Sequence, residues 1–171
     1  MARAVPSWPG PGDPRRAGLL LAAAVLVCDQ LSKRWLLPHL AGGRVIELLP
    51  VLDFRLVWNT GISMGLLQDA GAWLNVAIAA VTLMVAVWLW RARASLEALA
   101  LGAILGGAVG NLVDRLRFGA VMDFVHVHVG SWSFYVFNLA DAALTLGAVA
   151  LALALIRSDP AESIDEGGRR L

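Results

Sequence analysis

Long apolar runs separated by short polar segments dominate this chain and predict helices that cross a membrane. About 20 apolar residues are enough to span the hydrocarbon core of a bilayer. Four runs reach that length, at approximately 17–37, 71–90, 96–113 and 136–156. The second run carries no charge and places Trp73, Trp88 and Trp90 near its ends, where indole rings favour the membrane interface. We therefore expect an all-α integral membrane protein with four transmembrane helices.

The segments between these runs follow a different pattern, which favours strands. Residues 43–58 are rich in β-branched and aromatic side chains with partial alternation. Residues 125–129 alternate strictly as Val-His-Val-His-Val, so His126 and His128 share one face of a strand. We expect a small β-like periplasmic platform on the membrane surface, together with extracytoplasmic loops.

Basic residues near the ends of the runs predict the orientation. Arg15 and Arg16 precede the first run, Arg91 and Arg93 follow the second, and Arg157 follows the fourth. Cytoplasmic loops carry an excess of Lys and Arg, so this side is expected to be the cytoplasm, with both termini inside. Basic residues also occur on the opposite side, which makes the bias modest.

Composition agrees with this interpretation. The 171 residues are 58% hydrophobic and 16% charged with a net charge of +1, which leaves no solvated basic patch for nucleic acid. Cys28 is the single cysteine, so no intramolecular disulfide is possible. The expected organisation is one four-helix domain over 17–157, flanked by disordered cytoplasmic tails at 1–16 and 158–171.

Small residues recur every four positions in the third run and predict close helix packing. The stripe consists of Ala98, Gly102, Gly106 and Gly110. Such a stripe lets a neighbouring helix approach closely. Its next position is Asp114, and the adjacent stripe reads Gly107, Asn111 and Arg115. A pure packing motif explains the glycines, but it does not explain an Asn, an Asp and an Arg at the same outer end.

Charged residues also occur within the first run. Asp29 and Lys33 are four residues apart and share a helix face, where they can pair. This pair either neutralises and fixes the outer end of the helix or takes part directly in substrate binding. Ionisable residues at the edge of a bilayer are costly and are therefore candidates for a functional site.

Two further aspartates are the strongest candidates for chemistry. Asp123 precedes the strand-like segment, and Asp141 lies at the start of the fourth run, on the same helix face as Asn138. An extended excursion of 18 positions separates the two acids, which lets them meet at the outer boundary. Two nearby carboxyls can share a proton and activate a water. For Asp141 alone, capping of the helix N-terminus is the competing explanation.

The histidine pair raises the question of a metal. An His-x-His pair can ligate a metal ion, but the sequence offers no third ligand at a convincing spacing. We expect no metal and no cofactor, and a solvated or headgroup-facing strand for His126 and His128.

The polar residues fall into blocks that resemble those of the lipoprotein signal peptidase family, also called type II or prolipoprotein signal peptidase. Each block alone is unspecific, but together they occur in the family's order over about 17–156. The blocks are Asp-Gln-Leu-Ser-Lys at 29–33, Asn-Thr-Gly-Ile-Ser-Met-Gly at 59–65, Gly-Gly-Ala-Val-Gly-Asn-Leu-Val-Asp-Arg at 106–115, Val-Met-Asp-Phe at 121–124 and Phe-Asn-Leu-Ala-Asp at 137–141. One departure from the family pattern lies in the second block, where Ile62 replaces a small residue and Met64 an aromatic one.

The resemblance implies an aspartic endopeptidase of the bacterial inner (plasma) membrane, with its active site near the periplasmic face. Asp123 and Asp141 would be the catalytic pair, and the substrates would be diacylglyceryl prolipoproteins cleaved just before the lipidated cysteine. Membrane lipid would surround the enzyme, globomycin-type cyclic peptides would inhibit it, and we expect a monomer. The residues expected to bind substrate or support the acids are Asn59, Gly107, Asn111, Arg115, Asn138, Asp29, Lys33 and Asp114.

Two other classes of function compete with this hypothesis. A small proton-coupled transporter or channel subunit could use the carboxyl groups as a proton relay. That function predicts carboxyls spread across the depth of the membrane, whereas here they gather near one face. A purely structural membrane subunit would leave the clustered Asn, Asp and Arg residues unexplained.

Overall fold

Four helices and four strands make up the part of the chain that the computed structural model describes, which is residue 10 and residues 12–61, 71–130 and 132–158. The helices are α1 (Pro14–Leu40), α2 (Gly71–Arg91), α3 (Ser95–Phe118) and α4 (Leu139–Ser158). The strands are β1 (Val45–Leu49), β2 (Leu52–Asn59), β3 (Val121–Val129) and β4 (Trp132–Phe137). Ile62, Met64 and most of both predicted tails lie outside the described residues.

Three of the helices are long and apolar enough to cross a membrane, over Trp73–Arg91, Ser95–Phe118 and Leu139–Ile156. Four were expected. Helix α1 has 27 residues, or about 40 Å at the α-helical rise, but its sequence includes charged residues at its start and in its second half. Composition therefore identifies three crossing helices among the described residues. Most of the surface of α2 and α4 is apolar and exposed, as expected of helices that face lipid.

Helix α3 is the centre of the bundle and packs against α1 and α4 through its glycines. A Cβ at Gly102 would lie 2.2 Å from the carbonyl oxygen of Gly18, and one at Gly106 would lie 2.5 Å from that of Ala22. On the adjacent face, a Cβ at Gly107 would lie 2.5 Å from the carbonyl oxygen of Ala140. Any larger side chain would push these backbones apart. The predicted small-residue stripe is confirmed as the surface that docks α1.

The four strands form one antiparallel sheet in the order β1-β2-β3-β4. The expectation of an all-α protein is therefore wrong in part, because the predicted platform is a complete small sheet beside the helices. Val136 and Phe137, which were predicted to begin the fourth membrane span, belong instead to strand β4. Their apolar side chains continue the hydrophobic run, but Asn138 ends the strand and α4 begins only at Leu139.

The sheet changes the expected environment of the histidines. His126 is buried rather than solvated, and its ring stacks on that of His128 with centroids 5.0 Å apart. Pairing of β2 with β3 sets Asp53 opposite His126. The sequence offers no third ligand at a convincing spacing, but in the structure Asp53, His126 and His128 form one cluster. Strand pairing brings Asp53 there from more than 70 residues away, which sequence spacing does not reveal.

Candidate active site

The polar residues singled out in the sequence converge where one end of the helix bundle meets the sheet. They come from the C-terminal halves of α1 and α3, the last residue of β2, the start of β3 and the first turn of α4. Buried charged groups in a membrane protein are costly and must be paired. The buried polar members are Asp29, Lys33, Asn111, Asp114, Arg115, Asp123 and Asn138.

Asn138 connects the two candidate catalytic acids. Its side-chain Nδ2 donates to Oδ1 of Asp123 at 2.7 Å, and its backbone N–H donates to Oδ2 of Asp141 at 3.2 Å. Each acid has a second amide donor, which is Nδ2 of Asn59 at 3.1 Å for Asp123 and Nδ2 of Asn111 at 2.8 Å for Asp141. All four carboxylate oxygens are therefore held by amide donors.

The start of α4 explains why Asp141 is positioned so firmly. The Oδ1 of Asn138 accepts from the backbone N–H of Asp141 at 2.9 Å, while Asp141 accepts from the backbone N–H of Asn138. This reciprocal pair is a capping box, in which the first and fourth residues satisfy each other's backbone donors. Asp141 thus caps its helix, as the competing explanation for this residue expects, and still presents its Oδ1 to Asn111.

A buried ion cluster lies beneath the two acids. The Nζ of Lys33 lies 2.8 Å from Oδ2 of Asp29 and 2.8 Å from Oδ2 of Asp114, and it donates to Oδ1 of Asn111 at 3.2 Å. The last contact leaves the amide nitrogen of Asn111 directed at Asp141. Asp29 accepts from the backbone N–H of Ala140 at 3.1 Å and Asp114 from that of Met122 at 3.2 Å. The cluster therefore fixes the backbone on either side of the acids.

Arg115 holds the turn that follows β2. Its Nη2 donates to the carbonyl oxygen of Gly61 at 2.6 Å, and the N–H of Gly61 donates to Oδ1 of Asn59 at 3.0 Å. The Asn59 amide is thereby oriented with its Nδ2 toward Asp123. The buried Nε of Arg115 has no hydrogen-bond partner among the residues that the structure describes.

A cavity of about 420 Å³ opens beside Asp141. Its polar end includes Asn59, Asn111, Arg115 and Asp141. Helix α2 contributes a mostly apolar wall, formed by Leu74, Ala77, Ile78, Val81 and Thr82. A mostly apolar cavity with a few convergent polar groups is typical of a ligand or substrate site.

The environment of Asp123 suits acid–base chemistry. Burial, followed by the negative charge of Asp141, raises the pKa of its carboxyl to about 7, against the lowering effect of the Asn59 and Asn138 amides. A carboxylic acid with a pKa near neutrality is half protonated at pH 7 and can both give and take a proton.

The structure brings together the polar residues expected at the site, but some of them support the site through contacts within the protein. Gly107 contacts the backbone of α4, and Asp29, Lys33 and Asp114 form the buried ion cluster. Sequence reasoning missed Gln30, whose Nε2 donates to Asp29 at 3.1 Å and to Asp114 at 3.0 Å. It also missed the α2 wall, because apolar residues in an apolar helix carry no distinguishing signal.

Comparisons with known proteins identify the family of this chain. A family model described as Signal peptidase (SPase) II matches residues 21–157. The chain is 48% identical over 160 residues to the lipoprotein signal peptidase of Methylorubrum extorquens, covering 90% of this chain and 94% of that protein. It is 46% identical over 155 residues to the one from Beijerinckia indica, covering 87% and 93%.

A solved structure has the same fold. It is described as a bacterial membrane enzyme determined by the in meso method, and it superposes with a TM-score of 0.74 at 25% identity, covering 88% of this chain and 94% of that one. The family match covers most of the residues that build the bundle, the sheet and the polar cluster. The chain therefore belongs to the signal peptidase II family.

Proposed function

We propose that the chain removes signal peptides from prolipoproteins as an aspartic endopeptidase, with Asp123 and Asp141 as its catalytic pair. The observation that carries the proposal is the bridging of both carboxylates by Asn138, with one of them, Asp141, in the lining of the cavity. The substrates are diacylglyceryl-modified precursors, cut just before the lipidated cysteine. Relatives named lipoprotein signal peptidase support this substrate class.

The proposed reaction uses one proton shared by the two acids. Two negative charges in a poorly solvated site repel, so one carboxyl stays protonated. Asp123, with its raised pKa, carries that proton and stabilises the oxyanion that forms on the scissile carbonyl. Asp141 takes a proton from the attacking water and returns it to the amine nitrogen as the scissile C–N bond breaks. The proposed reaction does not use a metal or a cofactor.

The cavity accounts for how the peptide is held. The apolar α2 wall suits the apolar side chains of a signal peptide, and the polar end suits its backbone. The guanidinium of Arg115 belongs to the lining of the cavity, where it can donate to a substrate carbonyl. The lipid chains on the substrate cysteine remain in the bilayer, which restricts the search for the site to two dimensions.

We place the enzyme in the bacterial inner membrane with both termini in the cytoplasm. In this proposal α1 is the fourth helix that crosses the membrane. Through Gly18 and Ala22, α1 packs along α3, which is long and apolar enough to cross. Arg15 and the α2–α3 loop then lie on the cytoplasmic side and the sheet on the outer side. The transporter alternative is not supported, since the chain belongs to a peptidase family.

Lipid modification is expected to decide which precursors are cut. Purified enzyme in detergent is incubated with a precursor whose lipobox cysteine carries diacylglyceryl, and with the same precursor unmodified. Only the modified form is expected to shift on a gel to the size of the processed protein, and globomycin is expected to block that shift. Equal cleavage of both forms would contradict the proposed substrate class.

Cleavage is expected to slow at alkaline pH. The raised pKa of Asp123 means that its proton is present below about pH 7 and is lost as the pH rises through that value. Since the mechanism needs this proton, kcat should fall by about tenfold for each pH unit above the apparent pKa. The measurement is single-turnover cleavage from pH 5 to 9 with circular dichroism at each pH. A flat rate from pH 7 to 9 would exclude the assignment of the proton to Asp123.

A further inference from the structure

Asp53, His126 and His128 converge at a second place, on the part of the sheet beyond the catalytic pair. One donor atom from each residue lies within 4.8 Å of the other two. Asp53 lies on β2 and both histidines lie on β3, so the cluster joins two neighbouring strands. The side chains of Asp53 and His126 are almost completely buried, whereas that of His128 is 24% exposed. One side of the cluster is therefore accessible from solvent.

The contacts around Asp53 exceed what one oxygen atom can accept. Its Oδ2 lies 2.9 Å from Nδ1 of His126, 3.2 Å from Nε2 of His128 and 2.8 Å from Nη2 of Arg55. A carboxylate oxygen has two lone-pair directions, and here three nitrogen atoms compete for them. A cation placed between the two imidazoles and Oδ2 would remove the competition, because both ring nitrogens would then turn a lone pair toward it.

The separations also suit a metal site. Zinc binds His nitrogen and Asp oxygen at about 2.0–2.1 Å with tetrahedral geometry, which places neighbouring ligand atoms about 3.3 Å apart. The two separations from Oδ2, 2.9 and 3.2 Å, need only small adjustments to reach this value. Two imidazoles and one carboxylate are a donor set that zinc and similar cations prefer.

Surrounding groups already orient the ligands. The Nε2 of His126 lies 2.7 Å from Oγ of Ser133, which leaves Nδ1 free to face the cation. Metal-ligating histidines commonly have such a partner on their second nitrogen. Arg55 contacts both oxygens of Asp53 and holds the pKa of that carboxyl down at about 2, so it is ionised at neutral pH. The Arg55 side chain is 39% exposed and has room to move aside.

We propose that Asp53, His126 and His128 bind a divalent transition-metal cation of the zinc class, with water as a further ligand. The bound cation links β2 to β3. Three residues along β3 from His126 lies Asp123, so the link stabilises the strand that presents this acid. The role is structural, and it does not depend on the proposed peptidase activity.

Zinc binding tests the proposal directly. Full-length protein without a histidine tag is stripped with chelator, kept in detergent and titrated with zinc chloride in a calorimeter. We expect one zinc per chain. His126→Ala and His128→Ala should each weaken binding by at least about tenfold. Co²⁺ should give the d–d absorption bands of a low-coordinate site in the wild-type protein and not in the double variant.

A matched control is available because the chain has three histidines. His39→Ala changes the remaining one, which is exposed at the end of α1, and should bind zinc like the wild type. Should His126→Ala fail to fold, His128→Ala carries the test, because its partly exposed ring is easier to remove. Absence of stoichiometric zinc from the wild type, or equal affinity in His128→Ala and His39→Ala, would overturn the proposal.

Discussion

Asp123→Asn and Asp141→Asn should each reduce cleavage of a diacylglyceryl prolipoprotein by about 10³-fold or more. Asn is nearly the same size as Asp but can neither hold the shared proton nor accept one from water. Each substitution also turns an amide nitrogen toward one of two amide donors, so one hydrogen bond is lost. The measurement is the single-turnover rate with purified protein in detergent, followed on a gel.

Two controls separate lost chemistry from lost structure. The activity control is Asp13→Asn, which makes the same exchange at the N-cap of α1. Asn is an equally good N-cap there, so this variant should cleave at the wild-type rate.

The second control is thermal stability. Burial raises the pKa of Asp123, so folding favours its neutral form and its contribution to stability falls as the pH rises from about 4 through 7. Asp123→Asn should therefore unfold at no lower a temperature at pH 8. Normal processing by either active-site variant would disprove the catalytic pair.

Lys33→Met should produce a large loss of stability. Its ammonium group is the shared partner of Asp29 and Asp114, and all three side chains are nearly fully buried. Removing it leaves two carboxylates in a poorly solvated site without a cation. Breaking a buried pair in this way costs about 3–5 kcal/mol, which corresponds to roughly 6–20 °C in Tm for a chain of this size. Thermal unfolding in detergent measures the shift.

Arg34→Met is the matched control, because it removes one positive charge from the adjacent, exposed position of the same helix. It should lower the Tm by less than about 2 °C. The triple variant Lys33→Met, Asp29→Asn, Asp114→Asn should recover part of the loss, since no buried charge remains unpaired. An unchanged Tm in Lys33→Met would mean that the cluster contributes nothing to stability.

Lys33→Met should also affect catalysis through Asn111. Without the ammonium donor, Oδ1 of Asn111 loses one of its partners and its amide is less firmly directed at Asp141. The expected signature is a lower kcat with an unchanged KM, measured at a temperature at which the variant is folded.

Helix periodicity predicted the features that depend on local spacing. The stripe from Ala98 to Gly110 faces α1, and the positions that continue it carry Asp114 to the polar cluster. Residues four apart on a helix share a face whatever the rest of the chain does. For the same reason, Asp29 and Lys33 pair as expected.

Features set by strand pairing were not predictable in this way. A register shift lies between Phe54 and Val57 where β2 pairs with β3, and the sequence carries no simple signal for it. This pairing decides that Asp53 faces His126 and that Asn59 reaches Asp123. The boundary between β4 and α4 was also misplaced, because Val136 is as apolar as the helix that follows.

The capping box at the start of α4 makes one residue responsible for two tasks. Asn138 initiates the helix through its Oδ1 and restrains Asp123 through its Nδ2. Fraying of this first turn would break the contacts of Asn138 with Asp123 and Asp141 together. The positions of the two carboxyl groups are thereby coupled to the stability of a single helical turn.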